Sequence, residues 1–589
     1  MRPFLFFPLL LTAANAADVL VYGATPGGIA AALSAAKSGS EVILIEPTSR
    51  IGGLVASGLS HTDFHSFESL SGSFADFAKR VENHYIKTYG ADSPQVKASF
   101  KGTFGEPKVN LLVLEGMIAE HPRITVVKNT TLSGVAAKDR RIQSATFTSD
   151  GKPVTHEALV FIDGTYEGDL MAKAGVAWKM GRESKTEFNE PLAPDAADGQ
   201  LQAYNFRLIM TQEENNRVPA PKPPGYKRED YLGILPALGK EIKKLFDYPK
   251  ECVFKAQTPP LPNGKYDIND VSNGFVRLSL PGKNLGWPDG DEAARKAIFD
   301  EHLRDQVGLI YFLQNDKAVP EPFRSEARGW GFAKDEFVEN GNLPPQLYVR
   351  EARRMQGVHI YSQEDSVRPP DDARAKFFAD AIAMGDYGNN CHGTFHEGPR
   401  FGGKHTGEFY NPVPPYQIPY GVLLPKSLDN LLVPVAVSST HVGFCALRLE
   451  PIWMSLGQAA GFAAAITAKQ NIPLSAVPTT AIQEKLIGDK SALTYFSDLP
   501  LDSPDFAKVQ KWAMTGAFHG IEAWPKTLRG KKIHGQYSEA NPGHAAKLDE
   551  SLTPEIKERW LALAKSKGIG ATKAATADTR RSFIAALEL

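Results

Sequence analysis

Two short apolar runs frame an alanine-rich stretch near the start of the chain. "DVLVY" at 18–22 reads as a buried parallel strand, and "EVILIE" at 41–46 repeats the pattern. Between them, "GGIAAALSAAKSG" sets Ile29 and Leu33 one helical turn apart, and its alanines permit close packing on a sheet. Gly39 ends that helix. The spacing predicts a β-α-β unit of about 30 residues. Further on, "EALVFIDGTYEGDLMAKAGV" (157–176) predicts a buried strand ending in Asp163-Gly164, then a short helix capped by Asp169 and stopped by Gly175. Residues 428–470 predict a buried strand, a polar turn and a long helix of small residues.

The region between is less regular. From about 186 to 375 prolines cluster, as in "VPAPKPPGY" and "QTPPLPNGKY". "NGFVRLSL" predicts a strand, and "DEAARKAIFDEHLRDQVGLIYFLQN" an amphipathic helix. Residues 480–589 predict helices, "PEIKERWLALAKSKG" most clearly, and carry no nameable chemistry. The expected organisation is an export signal at 1–17, a nucleotide-binding part at 18–185, a substrate-facing cap at 186–375, a second nucleotide-binding part with an active-site loop at 376–478, and a helical module at 479–589.

At the N-terminus Arg2 precedes an apolar run, Phe4 to Leu11, and small residues ending Ala14-Asn15-Ala16. That is the layout of a secretory signal peptide, with cleavage after Ala16 or Ala17, and the run is too short to span a bilayer. A buried first strand is the alternative. No other stretch is apolar enough to cross a membrane. With 66 basic and 67 acidic side chains in 589 residues, nothing in the charge attracts nucleic acid. The three cysteines, Cys252, Cys391 and Cys445, form no C-x-x-C, so a dithiol close in sequence is excluded and buried free thiols are expected.

The loop "GATPGG" places Gly23 and Gly28 where a dinucleotide fingerprint needs glycine, but Thr25 stands in the middle. Thr25 and Pro26 make a good helix start, as N-cap and first-turn residue, and Gly27 and Gly28 keep that turn bare. Its N–H groups and dipole then face an anion. Glu46 follows at the spacing of a carboxylate that accepts from ribose hydroxyls. A second Gly-rich loop, "PTSRIGGLVASGLS", with Arg50, Gly52 and Gly53, suits a cofactor extending past its pyrophosphate. An empty β-α-β unit is the bland alternative.

Taken in order, "GATPGG", "EPTSRIGGLVASGLSHTD", "IDGTYEGDLMAKAGV", "LYVREARRMQG", "YQIPYGVLLPKSLDNLLVP", "SSTHVGFCALRLEP" and "LGQAAGFAAA" resemble the FAD-dependent oxidoreductases of glutathione-reductase-like fold, in the secreted bacterial subfamily with a G-x-T-P-x-G loop. The resemblance covers about residues 18–470. It implies an α/β fold with a Rossmann-like FAD-binding domain, bound FAD, Glu46 on the adenosine ribose, and the helix of the 450s, with Gly457 and Gln458, aimed at the flavin ring. Asp163 and Gly164 join the cofactor set at the carboxyl end of their strand, and His61 is placed to face the ring.

On the substrate side, Arg350, Arg353 and Arg354 stand together, to bind a substrate or to pair with Glu351 and other acids. "YGNNCHGTFHEGPRFGGKHTGEF" gathers His392, His396 and His405 without metal-ligand spacing, so no metal is expected and a proton-moving loop is. His392 sits where the family carries an Asp-Ser-His-like segment, although Asn389-Asn390-Cys391 departs from it. His441 and Arg448 flank the approach to the last helix. The reading is an exported flavoenzyme that moves hydride between a small-molecule substrate and flavin, with His441 or His392 as base and Arg350 and Arg448 in the site. A sugar or glycoside alcohol is the expected substrate; Trp287 and Trp330 are candidate stacking platforms. Alternatives are a C=C reductase of fumarate-reductase type, a NAD-only dehydrogenase, and a non-catalytic exported binding protein. Sequence leaves the electron acceptor and the oligomeric state open.

Overall fold

The computed structural model describes residues 17–248, 251–272, 274–524 and 541–589. The expected export signal falls outside these residues, apart from Ala17.

Strand β1 (Ala17–Tyr22), helix α1 (Pro26–Lys37) and strand β2 (Val42–Ile45) form the expected β-α-β unit. β3 (Ile124–Val127) adds in parallel beside β2. The chain then runs through an antiparallel meander that its hydrophobic pattern did not announce: β4 (Thr130–Lys138), β5 (Arg141–Ser149) and β6 (Lys152–His156). It returns as β7 (Ala158–Asp163), which pairs in parallel with the other edge of β1.

Residues 208–333 build a second sheet. Its six strands run in the order Arg217–Val218, Gly331–Ala333, Leu208–Thr211, Lys265–Asn269, Phe254–Ala256, Phe246–Asp247. Helix α2 (Glu292–Asn315) forms where amphipathicity predicts it, with Asp291 as N-cap accepting from Ala294 N–H. "NGFVRLSL" is not a strand in its described residues. The buried Asp270 carboxylate instead gathers the guanidinium of Arg277, the N–H of Leu278 and the hydroxyl of Ser279, replacing a ladder with a charged turn.

Strand β8 (Asn389–Cys391) lies in the histidine loop. β9 (Leu431–Leu432) completes the parallel sheet, whose order is β9-β7-β1-β2-β3. Helices α3 (His441–Leu447) and α4 (Glu450–Gln470) follow. α4 packs on α1, and the small residues explain how closely. A Cβ on Gly457 would lie 1.9 Å from the Gly27 carbonyl oxygen, and one on Gly461 2.2 Å from that of Ala31. Gly457→Ala is therefore expected to push the helices apart and lower stability by about 1–3 kcal/mol, read as a fall in the urea midpoint.

Past α4 the described residues carry the helices Thr479–Gly488, Phe506–Ala513, Pro554–Ser566 and Arg580–Ala586 among longer irregular stretches, and Trp512, Trp560 and Phe583 pack together between them. Among the described residues no helix is long and apolar enough to cross a membrane.

Candidate functional site

The turn from β1 into α1 is built as its sequence suggests. Thr25 is the N-cap: its hydroxyl accepts from Gly28 N–H at 3.2 Å and donates to the Gly164 carbonyl at 2.6 Å. Pro26 occupies the first turn. Gly23 has φ of 95°, and a Cβ on Gly28 would lie 1.9 Å from the Gly23 oxygen. Those two glycines are needed for the turn itself. Gly27 serves packing, since a Cβ there would press on Val435 and the backbone of Trp453.

Glu46 follows the end of β2 and is buried. One carboxylate oxygen accepts from Ala24 N–H at 2.8 Å; the other accepts from the N–H and hydroxyl of Thr48. Burial pushes its carboxyl up to about 7, against those hydrogen bonds. The second Gly-rich loop lies directly on the first. Gly52 N–H donates to the Ala24 carbonyl at 2.7 Å, and Gly53 fits between the Tyr166 hydroxyl and Pro26. Arg50 turns away from this junction, to Glu339 and the Ala56 carbonyl.

Asp163 and Gly164 support the motif from below. Asp163 spends one oxygen on Thr165 and the other on Met171 N–H. Asp169 is not the cap of the next helix: Gly168 is, in a left-handed conformation. Asp169 is drawn instead to Arg295 and Arg353.

The N-terminus of α4 faces the second Gly-rich loop. No side chain caps it. The buried Glu450 accepts from the Tyr166 hydroxyl at 2.7 Å, and its other oxygen has no partner. Burial lifts its carboxyl to about 8, so at neutral pH it adds little negative charge there. Val55, Leu59, Thr62, Asp63, Tyr348, Leu449, Glu450 and Pro451 line a crevice of only about 10 Å³ at this point. An uncapped helix end, an unpartnered carboxyl oxygen and two glycine turns fit the ring end of FAD chemically. Gly457 sits on Gly27, deeper in α4. Gln458 commits its amide elsewhere: the oxygen accepts from Ser73 N–H and the Ser491 hydroxyl, and the nitrogen donates to Asp489. Gln458 lines a larger cavity, about 640 Å³, at the far end of α1.

Tyr348 leads from this crevice to the arginines. Its hydroxyl accepts from Arg448, which also donates to the Asn390 carbonyl. The Arg350 guanidinium lies 4.3 Å from the Tyr348 ring centroid and donates to the Ala203 carbonyl and Asn205. The Nε of each is unpartnered, while the Asp270 carboxylate acts on Arg350 and that of Asp63 on Arg448. Burial, then Arg448 and Arg207, pulls Arg350 down to about 9. Arg353 and Arg354 behave differently and pair with acids: Arg353 with Asp169 and Asp289, Arg354 with Glu183 and Glu351.

His392 is a half-buried residue whose ring Nδ1 is buried without a partner. Close packing and the charges of Arg350, Arg448, Arg277 and Lys255 hold it well below the usual histidine range, so the ring is neutral. His441 is the opposite. Its Nδ1 faces Glu351 at 2.9 Å and its Nε2 faces the Cys391 sulfur at 3.4 Å. Glu351 and Cys391 outweigh burial and raise it to about 10, so the ring is protonated. His61 stacks on Phe104, with its Nε2 against the Pro259 carbonyl, and burial lowers it to about 4. His396 and His405 face one another across a separate hairpin.

The parts that sequence reasoning missed join distant segments. Arg207 binds Asp267 through two hydrogen bonds, and Asp267 also receives the N–H groups of Ser60 and His61. Cys391 and Cys445 come together at His441. Only the four-residue step from His441 to Cys445 gave a sequence signal. Trp330 stacks on Phe246 at 4.5 Å, a packing role.

No curated protein matches the chain. Several solved structures overlap it in part. One is AlpK, at 14% identity over 43% of each chain with a TM-score of 0.24. Another is p-nitrophenol 4-monooxygenase PnpA from Pseudomonas putida DLL-E4, at 12% identity over 33% of this chain and 46% of that one, TM-score 0.21. L-proline dehydrogenase from P. horikoshii overlaps at 17% identity over 26% of this chain and 22% of that one, TM-score 0.16. The overlap takes in less than half the length of each of these proteins, and such likeness assigns neither substrate nor chemistry. The FAD dependent oxidoreductase family matches residues 18–486, most of the chain, and the protein belongs to that family.

Proposed function

We propose that this FAD-dependent oxidoreductase oxidises an alcohol, first among candidates a hydroxyl of a sugar or glycoside, with His392 taking the hydroxyl proton. The observation that carries the reading is the state of His392: a neutral ring whose buried Nδ1 has no partner, close to the cations of Arg350, Arg448, Arg277 and Lys255. A neutral imidazole accepts a proton, and Arg350 and Arg448 stabilise the alkoxide that forms. FAD, when bound, accepts the hydride that the carbinol carbon gives up. His441 does not suit the role of base, because Glu351 keeps it protonated.

Glu46, the first-turn amides of α1, the 52–56 loop and the uncapped end of α4 are the groups proposed to hold FAD. Ribose hydroxyls donate, so they favour ionised Glu46. FAD affinity is expected to rise with pH until about 7 and to weaken by up to about tenfold per pH unit below it. Fluorescence titration of the apoprotein checks this, and Glu46→Gln is expected to flatten the dependence.

The N-terminal run supports a further part of the proposal, that the chain is exported and meets its substrate outside the cytoplasm. N-terminal sequencing of the mature protein tests it, with a start near Ala17 expected. One observation favours a second reading. Arg350, brought down to about 9 by burial, suits a proton donor in C=C reduction. Dye-linked assays separate the two. Oxidation of sugars and glycosides with an oxidised dye supports the first reading, and turnover only of unsaturated acids with a reduced dye replaces it with the second.

A further inference from the structure

α3 carries His441 and Cys445 four residues apart, on one helix face. β8 brings Cys391 across to them. The sulfurs of Cys391 and Cys445 and a ring nitrogen of His441 all lie within 4.8 Å of one another, and the Cys391 sulfur is 3.4 Å from Nε2. All three residues are buried. A tetrahedral zinc ion bound by a thiolate at about 2.3 Å and an imidazole at about 2.0–2.1 Å sets those two donors roughly 3.5 Å apart.

The surroundings prepare the histidine for this. Its Nδ1–H is committed to Glu351, whose carboxylate is held by Arg354 and Gln202. Nε2 is thereby left for the sulfurs. A carboxylate behind a histidine fixes the tautomer and ring orientation of metal-binding imidazoles. The other cluster of possible ligands, Glu106, Asp335 and Glu336, is already filled by the Lys265 ammonium, within 2.6–2.9 Å of all three.

We propose that Cys391, His441 and Cys445 bind a thiophilic metal ion of the Zn²⁺ class. Two thiolates and an imidazole select a borderline-soft ion over Mg²⁺ or Ca²⁺, which take oxygen ligands. Binding displaces two protons: the one shared by Cys391 and His441, and the thiol proton of Cys445. The thiolate charges then balance the ion, while Arg354 and Lys179 balance Glu351 and Glu183. Three protein donors leave a fourth tetrahedral position. A cavity of about 330 Å³, lined by Arg182, Glu408, Phe409 and His441 among others, opens beside the histidine. The proposed hydride chemistry does not use this group, so the two readings stand or fall separately.

The test uses the holoprotein. It is equilibrated with Zn²⁺, dialysed against a weak chelator, and analysed for metal and for alkylatable thiols. One ion per chain is expected, with Cys391 and Cys445 protected from alkylation and two protons released per ion in weak buffer. Cys391→Ser and Cys445→Ser are expected to abolish retention, and Cys252→Ser to leave it intact. If the serine variants do not fold, thiol protection and proton release in the unaltered protein still decide. The proposal is overturned if no ion is retained, if retention does not depend on these cysteines, or if intact mass shows a Cys391–Cys445 disulfide.

Discussion

Replacing Glu351 with leucine is expected to lower stability by about 3–5 kcal/mol, the cost of leaving a buried charge without its partner. Glu351 is 1% exposed and lies between two buried cations. It accepts from Arg354 and from Nδ1 of His441, and also from the amide of Gln202. Leucine matches its bulk but removes the charge. Arg354 keeps Glu183 and the Gly181 carbonyl, so the loss falls hardest on His441, whose protonated state Glu351 sustains. Glu351→Gln retains hydrogen-bonding atoms and is expected to lose less. Urea denaturation at neutral pH measures both. A midpoint for Glu351→Leu close to that of the unaltered protein contradicts the assignment.

His392→Ala is expected to lower the rate of substrate oxidation by about 10²–10⁴-fold, the usual contribution of a general base. Its FAD content and urea midpoint are expected to change little, because Nδ1 makes no hydrogen bond that the substitution would break. The pH profile gives a sharper check. A base works in its neutral form, and burial, with the cations around His392, holds its proton affinity well below the usual histidine range. Activity attributable to His392 is therefore expected to persist through pH 6.5 and to fall only in more acidic solution. An acid limb centred near 6.5 assigns the proton to another group.

The fold was legible wherever local pattern and packing agreed. Apolar runs gave β1, β2 and β7, and alanine and glycine gave α1 and α4, because those residues serve backbone approach whatever the ligand. Thr25 was legible as a cap for the same reason. The pattern failed where charge organises the chain. "NGFVRLSL" has strand composition, yet Asp270 binds its polar side chains and folds it as a turn. Asp169 sits at a helix start, but Arg295 and Arg353 draw its carboxylate off.

In the candidate site, residue types were legible and their states were not. Sequence offered His441 and His392 equally as bases. Glu351 and Cys391 make one a cation, and burial together with four cations makes the other neutral. Those neighbours come from segments far apart in the chain, so no spacing rule announces them. The same holds for Cys391 and Cys445, which no short motif connects. Arg350 and Arg448 share one cationic site, while Arg353 and Arg354, adjacent to Arg350 in sequence, are absorbed by ion pairs. Gln458 and Arg50 have each given their polar groups to partners outside the crevice.

Anaerobic mixing of the FAD-loaded protein with sugars and glycosides, followed in the visible spectrum, shows whether an alcohol delivers hydride to the flavin. The oxidised flavin band is expected to bleach with at least one such alcohol, more slowly with deuterium at its carbinol carbon, and more slowly still in His392→Ala. A flavin band that stays oxidised with every alcohol tried, yet is restored from the reduced state by an unsaturated acid, would contradict alcohol oxidation.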